Sequence, residues 1–419
     1  MALSVETGLF SADTADATTT VSCGFTGKAI ILFTTGQTAE GSDSAANVSW
    51  SYGFSDGTNH RVVSWASDDN VATTNCGRWW GNASIAIINS NGNPTSLITI
   101  TGVTFGASSF NITWSGTPAA AYKVGYILLG GSDITDVVVG TQTLTTSTGA
   151  QSVTGLAFQP DFGIFINAQT TASTSGTRAL GSIGFAASST KEFTMCWGVN
   201  DGQTMTGGID AVNYTNQDAC MSGITAGAET VDFLADFTSF NSDGYTINVS
   251  NAPTAGWLVG YLLIKGGQWD VGTTTIPGAG STRTISGLAF QPKGVGIGTT
   301  RTFANATVET EMSSVFGVAT STSTEASISA GQADAVLNTT VIRRTLSTRL
   351  WAQSHTSASY SADFDAFTSD GFQFTGNSTD GSTTTQLGWF ACGDAAVSAP
   401  LGKLMLPALL ARRRFGLVP

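Results

Sequence analysis

The feature that most constrains this chain is a long internal repeat. GLAFQP occurs at Gly155 to Pro160 and again at Gly287 to Pro292. VGTQTL, starting at Val139, precedes the first copy and VGTTTI, starting at Val271, precedes the second. The step from that Val to the motif Phe is identical in the two, Val139 to Phe158 and Val271 to Phe290. A degenerate third copy opens the chain, with VETGLF from Val5 and CGFTGK around Phe25, a step longer by a single position. A second landmark follows each copy: GYILLGG from Gly125, GYLLIKGG from Gly260 and a decayed GWFACGD from Gly388. Upstream of each lies an aromatic-centred segment, around Phe110, Tyr245 and Phe372. A third landmark sits between, as YGFSDG at Phe54, IGFAAS at Phe185 and FGVATS at Val318. The copies recur about every 130 residues, which is too long for a solenoid repeat and fits whole domains. The VGTQTL-type segment has a copy at the N-terminus, so it opens a module. The expected division is 1–137, 138–269 and 270–395, with a tail over 396–419.

Each module reads as β structure. KAIILFT, DFGIFINAQ, KVGYILL and WLVGYLLIK are short apolar runs bounded by Gly, Asn, Asp, Ser and Thr, which supply turns. TINVS and FQFTG alternate, as half-buried strands do. The near-continuous GYLLIK run predicts a central strand buried on both faces. SDG before Tyr245 and Phe372 signals a tight turn. No amphipathic helix is apparent before residue 400. Charged residues are only 11% of the chain, and Thr, Ser, Asn and Gly solvate it instead, which suits strands better than helices. The expected fold is all-β: three tandem antiparallel sandwiches or jelly rolls of about eight strands each. Three such modules in one chain can close into a pseudo-threefold ring, standing where a homotrimer of single modules would stand.

The order F-x-P-K-x-V, an aromatic strand, then G-Y-L-L-I-K-G-G resembles a module of tailed-bacteriophage virion proteins of the fibre, tail or head-surface type. The shape is also similar to the H-type lectin module, through Phe158, Pro160, Phe290 and Pro292 at one end and Gly260 to Gly267 at the other. Module one departs from it, reading FTGK where the others read FQP. The resemblance implies a non-enzymatic virion protein, a capsid decoration or tail-associated component. Its partners would be other virion proteins and copies of itself. The alternative it implies is a fibre or spike that binds a cell-surface glycan; no sugar-binding residue carries over.

The formal charge of −12 is uneven. After Asp394 there is no acid, yet Lys403, Arg412, Arg413 and Arg414 lie there, so the body is near −16. An acidic body disfavours nucleic acid and an anionic membrane as partners. The opening MALSVETGLFSAD has no basic and apolar leader pattern and no run reaches 18 apolar residues, so synthesis and folding in a cytoplasm are expected; the resemblance then implies a place in the virion. The five cysteines make no CxxC pair and are read as buried free thiols. His60 and His355 fall at different places in the repeat, which excludes a repeated histidine site. Neither a GxSxG elbow, an HExxH pair nor a Walker loop occurs. Asp68-Asp69, Asp363 and Asp365 are the densest acidic spots, read as loop carboxylates rather than a glycosidase pair or a calcium loop. No cofactor, metal or catalytic residue is expected. Trp79-Trp80 is the candidate ligand or interface pair, with core packing as the equal alternative. In the tail, Leu404, Leu406, Leu409, Leu410, Arg412, Arg413, Arg414 and Phe415 form an apolar and basic segment, expected to dock on a neighbour or on module three.

Overall fold

The structure is a computed structural model, and it describes residues 2–396 apart from 44–46, 90–93, 205–209, 226, 301–303, 335, 337, 355–358 and 378–384. The tail residues named above and His355 lie outside the described residues. The described chain contains no helix. It holds 33 strands, which fall into three sets of eleven in matching order.

The first set is β1 (Leu3–Ser11), β2 (Thr18–Ser22), β3 (Gly27–Thr34), β4 (Gly41–Asp43), β5 (Val48–Ser55), β6 (His60–Ser67), β7 (Cys76–Gly81), β8 (Ile85–Ile88), β9 (Ser96–Phe105), β10 (Ser109–Trp114) and β11 (Lys123–Gly131). The second is β12 (Asp136–Thr143), β13 (Gly149–Val153), β14 (Phe162–Asn167), β15 (Ser175–Thr177), β16 (Ala179–Ser188), β17 (Lys191–Val199), β18 (Ala211–Asn216), β19 (Met221–Thr225), β20 (Thr230–Asn241), β21 (Gly244–Asn251) and β22 (Leu258–Lys265). The third is β23 (Gln268–Thr275), β24 (Thr282–Ile285), β25 (Pro292–Thr299), β26 (Val308–Thr310), β27 (Met312–Ser321), β28 (Thr324–Gln332), β29 (Val341–Leu346), β30 (Trp351–Ser354), β31 (Ser359–Thr368), β32 (Gly371–Gly376) and β33 (Gln386–Gly393).

Each set builds a sandwich of a large sheet and a four-stranded sheet. In module one the large sheet runs β1-β11-β3-β5-β6-β7 and the small one β2-β10-β9-β8, and the other two repeat this order. The first and last strands of each set are paired, Leu3 to Gly131 in module one. The strand count exceeds the expected eight. The extra pieces are short and carry no apolar alternation, so the sequence pattern hides them; the least visible, β4, β15 and β26, leave their own sandwich altogether.

The two-sided burial expected for GYLLIK is present, and its cause is a second core. In β3, Ile30 and Leu32 face the small sheet, while Ala29, Ile31 and Phe33 face away from it into a cluster drawn from all three modules. The same alternation divides β11 into Tyr126 and Leu128 against Ile127 and Leu129. The large sheets therefore need apolar residues at every position, as sheets covered on both faces do. Module two splits Leu263 from Leu262 and Ile264 in the same way.

The landmarks mark backbone requirements. Gly53, Gly184 and Gly317, one in each copy of the third landmark, sit under the small sheet. A Cβ on them would clash with the carbonyl oxygens of Ser84, Cys220 and Leu350, at 2.3, 1.8 and 1.8 Å. The GLAFQP and SDG motifs meet in space. Gly155 and Gly287 both have φ of 86°, a region that favours glycine. Their amides each donate to an SDG carboxylate, Asp243 Oδ2 and Asp370 Oδ2, at 3.1 Å. Module one lacks both partners and closes here only through Cys23 N to Ser108 O, at 2.9 Å.

Candidate functional site

The repeat-equivalent polar chemistry of the molecule is concentrated where modules meet. Each large sheet gains a seventh strand from the next module. β15 of module two pairs with β7, Ser175 opposite Trp79. β26 of module three pairs with β18, Val308 opposite Tyr214. β4 of module one pairs with β29, Gly41 opposite Thr345. The exchange is cyclic, so the three sandwiches close into a ring.

A carboxylate secures each exchange. Asp69, Asp201 and Asp334 occupy one position of the repeat, at a nearly constant step past the third-landmark residues Phe54, Phe185 and Val318. Asp69 Oδ1 accepts the amide of Val341 at 2.7 Å. Asp201 Oδ1 accepts that of Cys76 at 2.9 Å. Asp334 Oδ1 accepts those of Asp210 and Ala211 at 2.9 and 3.2 Å. Val341, Cys76 and Ala211 are the first residues of β29, β7 and β18, the strands that receive the donated ones. Each module thus caps its predecessor's edge strand, and module one caps module three. Charge-assisted bonds of this type are stronger than neutral ones. The loops carrying the aspartates also join: Asn70 N donates to Thr339 O at 2.8 Å, and Thr74 N to Gln203 O at 2.8 Å.

A third contact runs in the same direction, from each opening strand to the preceding module's β5–β6-type hairpin. Asp56 Oδ2 accepts the Val139 amide at 2.9 Å. Lys191 pairs with Asp270 at 3.0 Å. Thr7 Oγ1 donates to Thr324 O at 2.9 Å. Between these devices the shared core packs rings from different modules. Trp50 meets Trp197 edge-on at 4.7 Å, Tyr52 meets Phe316 at 4.8 Å, and Phe162 stacks on Trp269 at 4.3 Å.

The hairpin base holds a titratable side chain in every module, at one repeat position: His60, Glu192 and Glu325. Glu192 Oε2 accepts the Phe237 amide at 2.6 Å and Glu325 Oε1 that of Phe364 at 2.7 Å. Both amides lie where the small-sheet strand bulges, so the carboxyl satisfies a donor next to a break in the ladder. Burial pushes Glu192 up to about 8, against the opposing bond from Phe237 and with Asp236 and Asp218 adding to the rise. Burial pushes Glu325 up to about 7, aided by Asp363 and opposed by the Phe364 amide and Arg349. His60, bonded through Nδ1 to Ser84 Oγ at 3.0 Å, is held below the usual imidazole range, chiefly by burial.

The other residues singled out from the sequence fall as follows. Trp80 is 1% exposed and lies in the shared core, its amide donating to Thr174 O of module two at 3.1 Å and its ring against Gly260. Trp79 is half-buried over Gly81. The pair therefore sits on the edge strand that receives β15, and Trp80 serves the interface inside the chain. Asp68 accepts from Asn75, Asp363 pairs with Arg349, and Asp365 accepts from Thr375 at 2.7 Å. Among the described residues no group of three or more His, Cys, Asp or Glu is placed to share a metal ion. All five cysteines are free; four are buried and Cys23 is half-buried. The aspartate clasp went unread because a lone Asp in a polar loop looks like any other; its steady offset from the third landmark was the available signal.

Two grooves flank the module three to module one junction. One, of about 350 Å³, is lined by Asn47, Asp68, Asn89, Tyr122 and Arg343, with Leu97 among its lining residues. Leu97 is 59% exposed. The other, of about 570 Å³, lies beside the chain's last described residues. No protein-family model matches this chain, and no curated protein matches it.

Proposed function

We propose that this chain is a non-enzymatic structural protein of a tailed-bacteriophage particle, a surface-decorating or tail-associated component. The observation that carries the reading is the closed ring: one chain makes by cyclic strand exchange what a homotrimer makes from three. The carboxylates repeated in every module, Asp69, Asp201 and Asp334, hold module to module. A rigid body with little surface charge and threefold-like faces suits packing among other particle proteins. The resemblance of its repeat to phage virion modules agrees with this. Purified particles imaged with an antibody against the chain test the reading. The expected result is label at one class of site on the particle; label confined to unattached protein would sink it.

A second reading, a receptor-binding fibre or spike, is favoured by the 350 Å³ groove. Its carboxylate, guanidinium, two carboxamides and tyrosine are groups that bond to sugar hydroxyls. A glycan array with the intact chain separates the two: reproducible binding abolished by Tyr122→Ala supports this second reading, and a blank array favours the first.

A further inference from the structure

Backbone strain in this chain is gathered at the joints of the ring. Among the described residues, five that are not glycine have positive φ: Asn70, Gln169, Arg178, Ala306 and Glu311, at 50° to 72°. A Cβ in this region crowds the following carbonyl oxygen, so such residues are uncommon. Each of the five bonds through its main chain to a different module. Asn70 N donates to Thr339 O at 2.8 Å, and Ala306 N to Thr215 O at 2.9 Å. Gln169 O accepts from Arg78 Nη2 at 3.2 Å, Arg178 O from Arg78 Nη1 at 3.4 Å, and Glu311 O from Asn213 Nδ2 at 2.6 Å.

Three of the five stand where a donated strand leaves or re-enters its own module. Module two leaves its large sheet after β14, donates β15 to module one and returns at β16. Gln169 lies at the departure. Arg178, the single residue between β15 and β16, makes the return, and Glu311 is its counterpart between β26 and β27. Arg78 and Asn213, which hold them, are the third residues of β7 and β18. One guanidinium of module one thus bonds to both ends of the excursion, and it also donates to Thr177 O within it. Module one has Gly36 at the position of Gln169: each lies three residues past the partner of a landmark glycine, Phe33 opposite Gly125 and Ile166 opposite Gly260. Gly36 has φ of 70°, which suits glycine, whereas Gln169 holds a similar turn with a full side chain. Strained backbone persists only where its surroundings hold it, and here the holding groups belong to another module.

We propose that Arg78 is a latch: reaching from module one, it holds Gln169 and Arg178 of module two in left-handed backbone, and without it these residues relax and β15 lets go of β7 while both sandwiches stay folded. Asn213 does the same for Glu311 and β26. Strain is stored when the ring closes and is released at each joint through the donated strand.

Hydrogen exchange on the full chain tests the latch. Arg78→Met should speed exchange by about tenfold at residues 174–178 and at Trp80, whose amide donates to Thr174 O, with β16 and β17 unchanged. Equal acceleration in β16 and β17 means that the sandwich unfolds instead of releasing its strand, and overturns the latch. If Arg78→Met does not fold, Arg78→Lys, which keeps the charge and loses the fork, replaces it with the same expectation. The strain is read separately at Arg178, an exposed side chain. Arg178→Gly and Arg178→Gln remove the same charge from beside Arg78, and only glycine is at ease at φ of 71°. Exchange at Trp80 should be about threefold slower with glycine than with glutamine. Glycine no slower than glutamine overturns the stored strain, whatever the Arg78 variant shows.

Discussion

The junction between modules three and one and the two spanned junctions are built from the same three devices: a donated strand, a capping aspartate and a hairpin contact. They differ in that only the first must hold without a peptide bond across it. There Asp394, paired with Lys293 inside module three, accepts the amide of Leu3 across the joint. The comparison teaches what tethering does. A homotrimer needs identical copies at each joint, whereas linked modules are free to diverge where they meet. Trp65 and Trp197 stand at the repeat position that module three fills with Ala330, and all three lie in the buried shared core.

The largest effect expected is one that ignores the junctions. Gly184→Ala and Gly317→Ala each force the large and small sheets of one module apart at a backbone carbonyl. Overpacking against backbone has no soft neighbour to yield, so each should cost about 3 kcal/mol or more. Urea unfolding checks it. Equal losses in modules two and three are expected, because the lesion lies inside a sandwich; a loss below about 1 kcal/mol at either site would show that the sheets shift freely.

Next come the capping aspartates, which distinguish the joints. Asp69→Ala and Asp201→Ala remove equivalent bonds, from Val341 N and Cys76 N. An amide left without an acceptor costs about 1–3 kcal/mol. Global stability should fall by similar amounts in both. Local opening should not: hydrogen exchange in β29 and β1 should rise in Asp69→Ala, while Asp201→Ala leaves β7 and β12 held by the covalent connection. Matching local exchange in the two variants would remove the distinction between linked and unlinked joints.

Much of this architecture was legible in the sequence, and the parts that were not share a cause. The repeat, the all-β class and the doubly buried GYLLIK strand show because apolar runs and glycines are written where sheets and turns demand them. The exchanged strands GSD, SGT and VET do not show, since three residues with at most one apolar side chain, hydrogen-bonded through their backbone, leave no alternation to read. The same holds for the clasp. Asp201 and Asp243 look alike in sequence; one caps a neighbouring module and the other a turn of its own module. Direction of exchange is set by which loops meet in three dimensions, and local spacing carries no trace of it.

The hairpin base gives the third test, and here the contrast is between module one and the other two. Glu192 and Glu325 have folded values of about 8 and about 7, above the ordinary 4.5. The folded state therefore binds protons that the unfolded state has released. This stabilisation is full below about pH 4.5 and is lost as pH rises through 7 to 8. His60 is lowered below 6.5, so its contribution has the opposite sense: it is present above pH 6.5 and lost as pH falls through the folded value. Glu192→Gln and Glu325→Gln keep an acceptor for the Phe237 and Phe364 amides and should flatten the alkaline decline. His60→Gln should flatten the acid one. Melting temperatures from pH 5 to 9 check both; a double glutamine variant that still loses stability on the alkaline side would assign that decline to other groups.

The smallest effect expected is the most specific to the unlinked joint. Lys293 and Asp394 side chains are 41% and 45% exposed, and exposed pairs contribute about 0–1 kcal/mol. Asp394 is partly desolvated, yet its bonds to Lys293 and to Leu3 N hold its carboxyl below the usual range. Lys293→Met keeps most of the stem over the groove and removes the charge and the donor to Leu3 O, 3.1 Å away. Melting temperature should hardly move at 0.15 M salt, where the Debye length is about 8 Å. Exchange at Leu3, Ser4 and Val5 should rise at low salt and converge with wild type as salt is added. The Lys191–Asp270 pair at a spanned junction supplies the control, since Lys191→Met removes a comparable charge contact where the chain is continuous. If both variants loosen their opening strands alike, the Lys293–Asp394 pair beside Leu3 is an ordinary surface contact, and the added bonds at the unlinked joint do not compensate for the missing link.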